Sequence, residues 1–329
     1  MIASITIYSL LSFLILILFA KVSYKLNLVD IPSNRKKHSK PTAYTGGLAI
    51  SVIYIISIVL FKVVGHKLNI IISISFIMAI VGFIDDKYQM NIGGKLSLQI
   101  IPIMYLIILE NYNLIQIGDY NYFKLELNSF SIPFTLISIL FLINSFNYFD
   151  GKDGTLGFTT ISTLVILYFL ISDENIKLFL MTILLPICIF LCFNFSLFTL
   201  PKLFLGDGGS LLLGFIVSFT LIYLANKNLV HPILLAWSVV IFVFEFISIN
   251  LIRIKNKKAL FKATQDHLHH IFLKKTKSIF LTNFFILSIN IILFIAGYFS
   301  FVLIGSLASL ILFIFSFIVF FLLRDAYSK

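Results

Sequence analysis

Long apolar segments alternate with short polar stretches along the whole chain. A backbone in lipid must satisfy its hydrogen bonds internally, so such segments predict membrane-spanning helices. We count eleven segments, with ten as the alternative because several are short: 2–20, 45–64, 68–84, 96–110, 130–143, 157–171, 177–193, 209–225, 232–251, 279–298 and 301–323. The pattern predicts an all-α integral membrane protein, a polytopic helix bundle that forms one domain over residues 1–329.

One stretch outside the predicted helices has a different periodicity. Residues 111–128 contain alternating apolar and polar positions on both sides of Gly118 and Asp119. Period-two alternation around a short turn of this type is typical of a β-hairpin. We therefore expect a small hairpin near residues 114–127, outside the membrane on the extracytoplasmic side.

The basic residues define a topology. With the N-terminus outside, loops 21–44, 85–95, 144–156, 194–208 and 252–278 and the tail 324–329 hold 20 of the 25 Lys and Arg residues. By the positive-inside rule these loops and the C-terminus are cytoplasmic. A chain that is 60% hydrophobic is not a soluble globule, and its net charge of +11 follows from this topology. The charge also suits anionic lipid or anionic substrates, so no nucleic-acid partner is expected.

Two adjacent carboxylates, Asp85 and Asp86, directly follow the third apolar segment. Neighbouring carboxylates repel each other and resist burial, and a divalent cation or a basic phosphate site nearby relieves this repulsion. The alternative is a solvated turn just beyond a helix end.

The third and fourth cytoplasmic loops are rich in oxygen ligands. Asn144, Asn147, Asp150 and Asp153 lie within ten residues among glycines, which is the hard-ligand chemistry that Mg²⁺ prefers. In the next loop, Asp207 lies within the segment 204–210, whose glycines and serine directly precede a helix and suit an anion. An Asp there would repel a bare phosphate, so the pattern indicates metal-bound phosphate. An ordinary polar turn and a plain N-cap turn are the alternatives.

Two further loops combine cations with other polar groups. Lys40 ends a basic run before Gly46 and Gly47, where backbone amides could approach a phosphate, although positive-inside charge alone explains the lysines equally well. The loop 252–278 begins with Arg253 and other cations and then carries three histidines, 267, 269 and 270. Imidazoles in this basic setting favour phosphate contact over zinc, because positions i and i+2 diverge on a helix.

Glu245 interrupts the ninth apolar segment. A carboxylate inside a bilayer is a functional-site candidate by default. Pairing with Arg253, two helical turns further on, and a position near the cytoplasmic edge are the alternatives.

Taken in order, these motifs resemble those of the polyprenyl-phosphate N-acetylhexosamine-1-phosphate transferase family. The matching positions run from about Asp30 to His270: the basic loop with Pro41, Gly46 and Gly47; Asp85 and Asp86 with Lys95 and Gln99; Asn144, Asn147, Asp150, Gly151, Asp153 and Gly154; Asn194 with the segment 204–210; and the segment 266–270. The His-Leu-His-His order resembles the UDP-GlcNAc branch, which starts O-antigen, capsule, teichoic-acid or similar surface glycans. It is less similar to the branch that makes lipid I for peptidoglycan.

The resemblance implies transfer of an N-acetylhexosamine 1-phosphate, GlcNAc or a derivative, from a UDP-sugar to undecaprenyl phosphate, with release of UMP. It implies that Asn147 and Asp207 bind Mg²⁺, or alternatively Mn²⁺, with Asp85 or Asp86 completing or neighbouring the shell. Catalytic roles fall on Asp85, Asp86, Asp150, Asp153, Asp207 and His269. Substrate contacts fall on Lys40, Gly46, Gly47, Lys95, Asn144, Asn194, Phe204, Arg253, His267, His269 and His270, with Phe204 as a stacking platform for uracil.

The role of Asp85 stays open between a general base and an organiser of metal and cations. A phosphomonoester has a second pKa near 6, so the lipid phosphate carries little proton for a base to remove, which favours the organiser. The expected location is the bacterial cytoplasmic membrane with the active site facing the cytoplasm, and a homodimer is compatible with the sequence. Lipid I synthesis is the alternative within the family, and a cation transporter is the alternative from another class.

Overall fold

The computed structural model describes residues 2–32, 40–61, 65–257 and 266–327, and α-helices make up most of them. The helices are α1 Ile2–Lys25, α2 Gly46–Phe61, α3 His66–Tyr88, α4 Ile92–Met104, α5 Ser131–Phe149, α6 Thr155–Leu170, α7 Glu174–Asn194, α8 Gly206–Asn226, α9 Pro232–Ser238, α10 Val240–Lys255, α11 Leu268–Thr276, α12 Ile279–Leu303 and α13 Ser306–Ala326. A π-helical turn, Tyr105–Leu109, extends α4.

Every predicted apolar segment contains a helix, which confirms the all-α polytopic class. Within the described residues, eight helices are long and apolar enough to cross a membrane, and α9 and α10 add a ninth span if they are one helix bent by 73°. Helices α2 and α6, with 16 residues each, are shorter than the roughly 20 residues that a bilayer core requires. The number of crossings and the sides of the termini therefore stay predictions.

A tight turn joins α3 to α4 and determines which polar groups meet. Helix α3 continues through Asp85 and Asp86, which the sequence had placed in a loop, and ends where Gln89 adopts a left-handed conformation with φ 50°. Asn91 then caps α4 by accepting a hydrogen bond from the Gly94 N–H at 2.7 Å. Because only three residues separate the two helices, the first turn of α4 returns beside the last turn of α3.

Two small antiparallel sheets lie outside the helices. β3 Gln116–Asp119 pairs with β4 Lys124–Glu126, which confirms the predicted hairpin. β1 Val29–Asp30 pairs with β2 Thr42–Ala43, which the sequence did not predict. Ala43 also forms a parallel bridge with Leu203, so the first polar loop and the segment before α8 are tied by backbone hydrogen bonds.

The chain forms two compact units, one of Met1–Glu110 and Ser172–Thr220 and the other of Asn111–Ile171 and Leu221–Lys329. The core of the second unit surrounds Trp237, whose ring packs edge-on against Phe313 and whose indole N–H donates to Ser309 Oγ at 3.0 Å. Gly297 lies against the same ring, and a Cβ at that position would overlap it. The prediction of one transferase domain over the whole chain stays a prediction.

Candidate active site

In the first unit, Lys95 lies between two carboxylates. Its Nζ is 2.7 Å from Asp85 Oδ2 and 2.5 Å from Asp207 Oδ2. The turn between α3 and α4 brings Lys95 back to Asp85, whose Oδ1 also accepts the Met90 N–H at 2.9 Å. Only 16% of the Lys95 side chain is exposed, and 12% of the Asp85 side chain. We call Asp85, Lys95 and Asp207 the lysine cluster; it unites α3, α4 and α8.

The side chain of Asp86, which belongs to α3, lies at the N-terminus of α8. Its Oδ2 accepts the Gly208 N–H at 3.4 Å, a long contact, and an acidic group at this helix end is favoured by the helix dipole. Gly206 has a φ of +72°, and a Cβ there would lie 2.6 Å from Asp86 Oδ2, so only glycine fits. The predicted anion site before α8 thus already faces a carboxylate of the chain itself. A bare phosphate would meet repulsion from this carboxylate in addition to the repulsion expected from Asp207.

Gly46 and Gly47 have a packing role that the sequence did not reveal. Their N–H groups donate to the carbonyl oxygens of Phe204 and Leu205, at 3.0 and 2.8 Å, so these amides are engaged within the protein. A Cβ on Gly47 would overlap the backbone of Gly209. The predicted phosphate contact through these two amides gains no support, and close helix packing explains why glycine is needed.

Other predicted substrate-binding residues of the first unit surround the same backbone segment. Asn194 is buried, and its Nδ2 donates to the Leu203 carbonyl at 3.0 Å. The half-buried Phe204 ring lies 5.4 Å from Lys202 Nζ, and the Phe204 N–H donates to Ala43. Lys40 is exposed just before β2. Their assigned contacts with substrate stay predictions.

Gln99 is a buried polar residue to which we assigned no role from the sequence. Its side chain is fully buried, and among the described residues neither its Nε2 nor its Oε1 has a hydrogen-bond partner. It follows Lys95 by four positions, so both side chains lie on the same face of α4. That spacing, and the match of Gln99 to the same family motif as Lys95, were the available sequence signals.

In the second unit, three histidine rings pack together. The centroid separations are 5.6 Å for His267 and His269, 4.2 Å for His269 and His270, and 5.9 Å for His267 and His270. We call these residues the histidine cluster. The argument that their side chains diverge on a helix was wrong, because α11 begins at Leu268 and His267 has an extended backbone conformation before it.

Burial keeps the histidine cluster uncharged. Loss of water around the rings lowers the pKa of His267 to about 3 and that of His270 to about 4. The pKa of His269 is lowered well below its usual value by burial first and by the neighbouring rings second. His267 Nδ1, His269 Nε2 and His270 Nδ1 are buried without a hydrogen-bond partner among the described residues. A neutral ring has one donor and one acceptor nitrogen, and the tautomer decides which of the two the partnerless atom is.

The asparagine- and aspartate-rich segment around 144–154 belongs to the second unit. Asn144 and Asn147 lie on α5, where Asn144 Nδ2 donates to the Leu140 carbonyl at 2.7 Å. The N–H of Asp150 donates to the Asn147 carbonyl at 3.3 Å. Gly151 lies directly against the His269 ring, with no space for a Cβ. The structure therefore joins this segment to the histidine cluster.

The end of that segment is fixed by α12. The Asp153 carbonyl accepts the Asn283 Nδ2 at 2.9 Å, and Asn283 Oδ1 accepts the Thr155 hydroxyl at 2.7 Å. These are contacts of the backbone and of Thr155, so the catalytic role predicted for the Asp153 carboxylate stays a prediction.

Glu245 pairs with Arg324, and the alternative pairing with Arg253 was wrong. Glu245 Oε2 is 3.1 Å from Arg324 Nε, and both side chains are buried. Arg253 instead pairs with Asp266, at 3.0 Å between Nη2 and Oδ1.

The donor chemistry of the lysine cluster fits a cation. Its carboxylate oxygens already surround the Lys95 ammonium, and carboxylates with water and phosphate oxygens form the usual Mg²⁺ shell. Within the described ranges, no group of three or more His, Cys, Asp or Glu side chains could hold a metal by itself. Asp207 belongs to the first unit and Asn147 to the second, so their joint ligation of Mg²⁺ or Mn²⁺ stays a prediction.

The fold defines a multi-pass α-helical membrane protein that places charged and polar clusters at the ends of apolar helices. Residues 68–225 match the sequence profile of glycosyl transferase family 4. A probable undecaprenyl-phosphate N-acetylglucosaminyl 1-phosphate transferase of Bacillus subtilis (strain 168) is 30% identical over 276 residues, which cover 80% of this chain and 75% of that protein. The chain therefore belongs to glycosyl transferase family 4, which confirms the resemblance drawn from its motifs.

More distant relatives have the same type of name. An undecaprenyl-phosphate alpha-N-acetylglucosaminyl 1-phosphate transferase of Yersinia pestis is 23% identical over 272 residues, which cover 80% of this chain and 74% of the relative. Its counterpart in Escherichia coli (strain K12) is 22% identical over 282 residues, covering 82% and 76% of the two chains.

Proposed function

We propose that this protein transfers N-acetylglucosamine 1-phosphate from UDP-N-acetylglucosamine to undecaprenyl phosphate. The observation that carries the proposal is the 30% identity to a Bacillus subtilis protein named for this transfer, over three quarters of the length of that protein. The five motif segments that carry the resemblance all lie within a multi-pass membrane protein, where a lipid substrate is available.

An oxygen of undecaprenyl phosphate attacks the β-phosphorus of the UDP-sugar. A new phosphorus–oxygen bond forms, the bond from the β-phosphorus to the bridging oxygen breaks, and UMP leaves with the electron pair. Both reactants are polyanions, so the protein's main task is to neutralise charge and to align the reacting atoms. No proton has to be removed from a dianionic lipid phosphate.

The lysine cluster supports the organiser role for Asp85. Asp85 Oδ2 lies next to Lys95 Nζ, and Asp85 Oδ1 accepts the Met90 N–H. The carboxylate therefore orients a cation and the turn after α3. Mg²⁺, with Mn²⁺ as the alternative, would neutralise phosphate charge, and Asp207 and Asn147 are its proposed ligands, with Asp85 and Asp86 neighbouring the shell. An Asp85→Asn enzyme whose activity recovered fully at raised pH would instead support the base.

The histidine cluster supports contact with phosphate oxygens in the second unit. Its rings are neutral at pH 7, so they donate hydrogen bonds rather than charge. Arg253 and Asp150 belong to the same unit and complete the proposed polar surroundings. The remaining site assignments made from the motifs belong to this proposal unchanged, except for the phosphate contact through the Gly46 and Gly47 amides, which donate to carbonyl oxygens of the protein.

We place the protein in the bacterial cytoplasmic membrane, with eleven spans, the N-terminus outside and the active site toward the cytoplasm. The asymmetric distribution of Lys and Arg residues supports this orientation. The product would start a lipid-linked surface glycan, and the homodimer stays a prediction. A cation transporter loses its main support, because Glu245, the acid that interrupts the ninth apolar segment, is paired with Arg324.

Membranes containing the protein, supplied with Mg²⁺, undecaprenyl phosphate and radiolabelled UDP-GlcNAc, test the proposal. We expect label in the lipid fraction only when undecaprenyl phosphate is present, and little label from UDP-N-acetylmuramoyl-pentapeptide. Preferential use of the pentapeptide donor would support lipid I synthesis. No lipid label from any UDP-N-acetyl sugar would contradict the transferase.

A further inference from the structure

We infer that Glu245 and Arg324 are positioning residues that set the geometry of the histidine cluster. The expected effect on kcat rests on the proposed function. The expected effect on the orientation of the histidines depends only on this ion pair. Neither residue belongs to the motifs that carry the family resemblance.

The pair is almost completely removed from water. The Glu245 side chain on α10 is 1% exposed and the Arg324 side chain in the last turn of α13 is 3% exposed. Arg324 Nε donates to Oε2 at 3.1 Å and Nη2 lies 3.4 Å from Oε1, so the guanidinium faces both carboxylate oxygens. A buried ion pair often contributes no more stability than apolar residues of the same volume. Stability alone is therefore a weak explanation for its presence.

Both residues of the pair also form hydrogen bonds with the backbone on either side of His267. Glu245 Oε1 accepts the Leu268 N–H at 2.8 Å, and Arg324 Nη2 donates to the Asp266 carbonyl. Leu268 is the first residue of α11, and N–H groups at a helix start have no acceptor within the helix. A carboxylate bound there is also favoured by the helix dipole. Glu245 therefore determines where α11, which carries His269 and His270, begins.

A second set of contacts holds the same segment through side chains. Arg253 pairs with the Asp266 carboxylate, and the Tyr148 ring lies edge-on to the His267 ring at 4.9 Å between centroids. The segment 266–268 is thus fixed through its backbone, a carboxylate and a ring face. Ring nitrogens of all three histidines stay without a partner among the described residues. The anchor therefore orients imidazoles whose partnerless ring nitrogens are buried.

A purely structural role predicts a different result from a positioning role. If the pair only joined α10 to α13, its loss would lower the melting temperature and leave the histidines protected in the protein that remains folded. If it positions the cluster, its loss exposes the rings and lowers kcat more than it changes KM. Measuring the accessibility of the histidines distinguishes the two roles, and this measurement requires neither substrate nor enzymatic activity.

The experiment compares Arg324→Gln, Glu245→Gln and Arg324→Lys with Asp325→Asn in the purified full-length protein. Asp325 is the matched control because it lies next to Arg324 and pairs with a different residue, Lys255, at 2.6 Å; the lysine side chain is 55% exposed and the aspartate side chain 18%. Diethyl pyrocarbonate modifies accessible neutral imidazoles, and mass spectrometry of the peptides reports each site. His66, with 79% of its side chain exposed, is the internal reference.

We expect His267, His269 and His270 to react several-fold faster in Arg324→Gln and Glu245→Gln than in wild type. We also expect kcat to fall by about 10- to 100-fold, as for a displacement of about 1 Å in a catalytic group. Asp325→Asn should remain within about twofold of wild type. Arg324→Lys should have a smaller defect, because an ammonium keeps the charge but cannot bond Glu245 and the Asp266 carbonyl with the same fork.

Unchanged labelling in folded Glu245→Gln and Arg324→Gln would overturn the inference. If Arg324→Gln does not fold, Arg324→Lys and Glu245→Gln decide by the same labelling criterion. Faster labelling with a kcat equal to that of Asp325→Asn would contradict the catalytic consequence. A wild-type protein without transferase activity would refute the proposed function, while the labelling would still test the anchor.

Discussion

In the first unit, the Lys95 ammonium lies between the carboxyl groups of two aspartates, whereas in the second unit burial holds three imidazoles uncharged. The lysine cluster combines an ammonium with two acidic side chains, so we expect it to respond to removal of one of these groups or to a competing cation. The histidine cluster is a set of neutral donors and acceptors, and it responds to protonation. A cation neutralises phosphate charge, whereas a neutral donor orients a phosphate oxygen.

The largest effect is expected from Asp207→Asn, which removes a charge from the lysine cluster. We expect kcat to fall by about 100- to 1000-fold, because a preorganised electrostatic group in the proposed site is lost. Transfer of labelled GlcNAc 1-phosphate to lipid by the purified variant measures it. Glu174→Gln is the control, since its carboxylate is 83% exposed and pairs with Lys177 on the surface. Activity of Asp207→Asn within tenfold of wild type would show that the cluster is not catalytic.

Lys95→Met tests whether the lysine acts as the internal counter-ion. Without the ammonium, Asp85 and Asp207 repel each other, so we expect a lower melting temperature and activity reduced by about 100-fold. Added Mg²⁺ should raise the melting temperature of this variant more than that of wild type, because the carboxylate oxygens become available to it. Lys87→Met, at an exposed position of α3, is the control. An equal Mg²⁺ effect in all three proteins would contradict a cation site at these carboxylates.

Acid should destabilise the folded protein by protonating the histidine cluster. The pKa values near 3 and 4 lie below the value of about 6.5 for an unfolded histidine, so between these limits the unfolded chain binds more protons. Stability is therefore complete above about pH 6.5 and declines as the pH falls toward the folded-state values. We expect the melting temperature to drop between pH 7 and about pH 5.

His270→Gln should lose part of that decline, whereas His66→Gln, which alters an exposed ring, should retain it. The comparison of melting temperatures at the two pH values in detergent measures the difference. A decline of the same size in both variants would mean that His270 is not buried in its neutral form.

The smallest effect is expected from Phe204→Leu, which tests a neutral contact in the unit that contains the lysine cluster. Loss of ring stacking is worth about 0.5 to 1.5 kcal/mol, so KM for UDP-GlcNAc should rise about two- to tenfold with little change in kcat. Phe204→Tyr should retain the wild-type KM. Phe198→Leu is the control because that ring is 88% exposed. Equal KM values in Phe204→Leu and Phe198→Leu would exclude the stacking role.

Local patterns predicted the helices and the β3–β4 hairpin, because apolar runs and period-two alternation depend only on neighbouring residues. They did not predict the partners of polar groups. Arg253 is two turns from Glu245 along the helix, but the partner is Arg324, 79 positions away. Likewise, Gly47 resembled a phosphate turn until its contact with Gly209 showed a packing requirement.

The histidine cluster shows the same limit at shorter range. The spacing predicts divergent side chains on one helix through all three residues, but Glu245 and Arg324 hold the segment so that α11 begins only at Leu268. When a distant ion pair sets the start of a helix, the residues near that start do not indicate it. The acidic residue within an apolar segment, Glu245, was the one indication in the sequence. Glu245 was noticed for that reason, although its partner and its role required the structure.

The most direct test of the transferase is the identity of the nucleotide that leaves. Purified wild-type protein is incubated with UDP-GlcNAc, undecaprenyl phosphate and Mg²⁺, and nucleotides and lipids are quantified by mass spectrometry. Attack at the β-phosphorus predicts equal amounts of UMP and undecaprenyl-diphosphate-GlcNAc, with both products lost in Asp207→Asn. Release of UDP with a lipid carrying a single phosphate, or no sugar-bearing lipid at all, would contradict it.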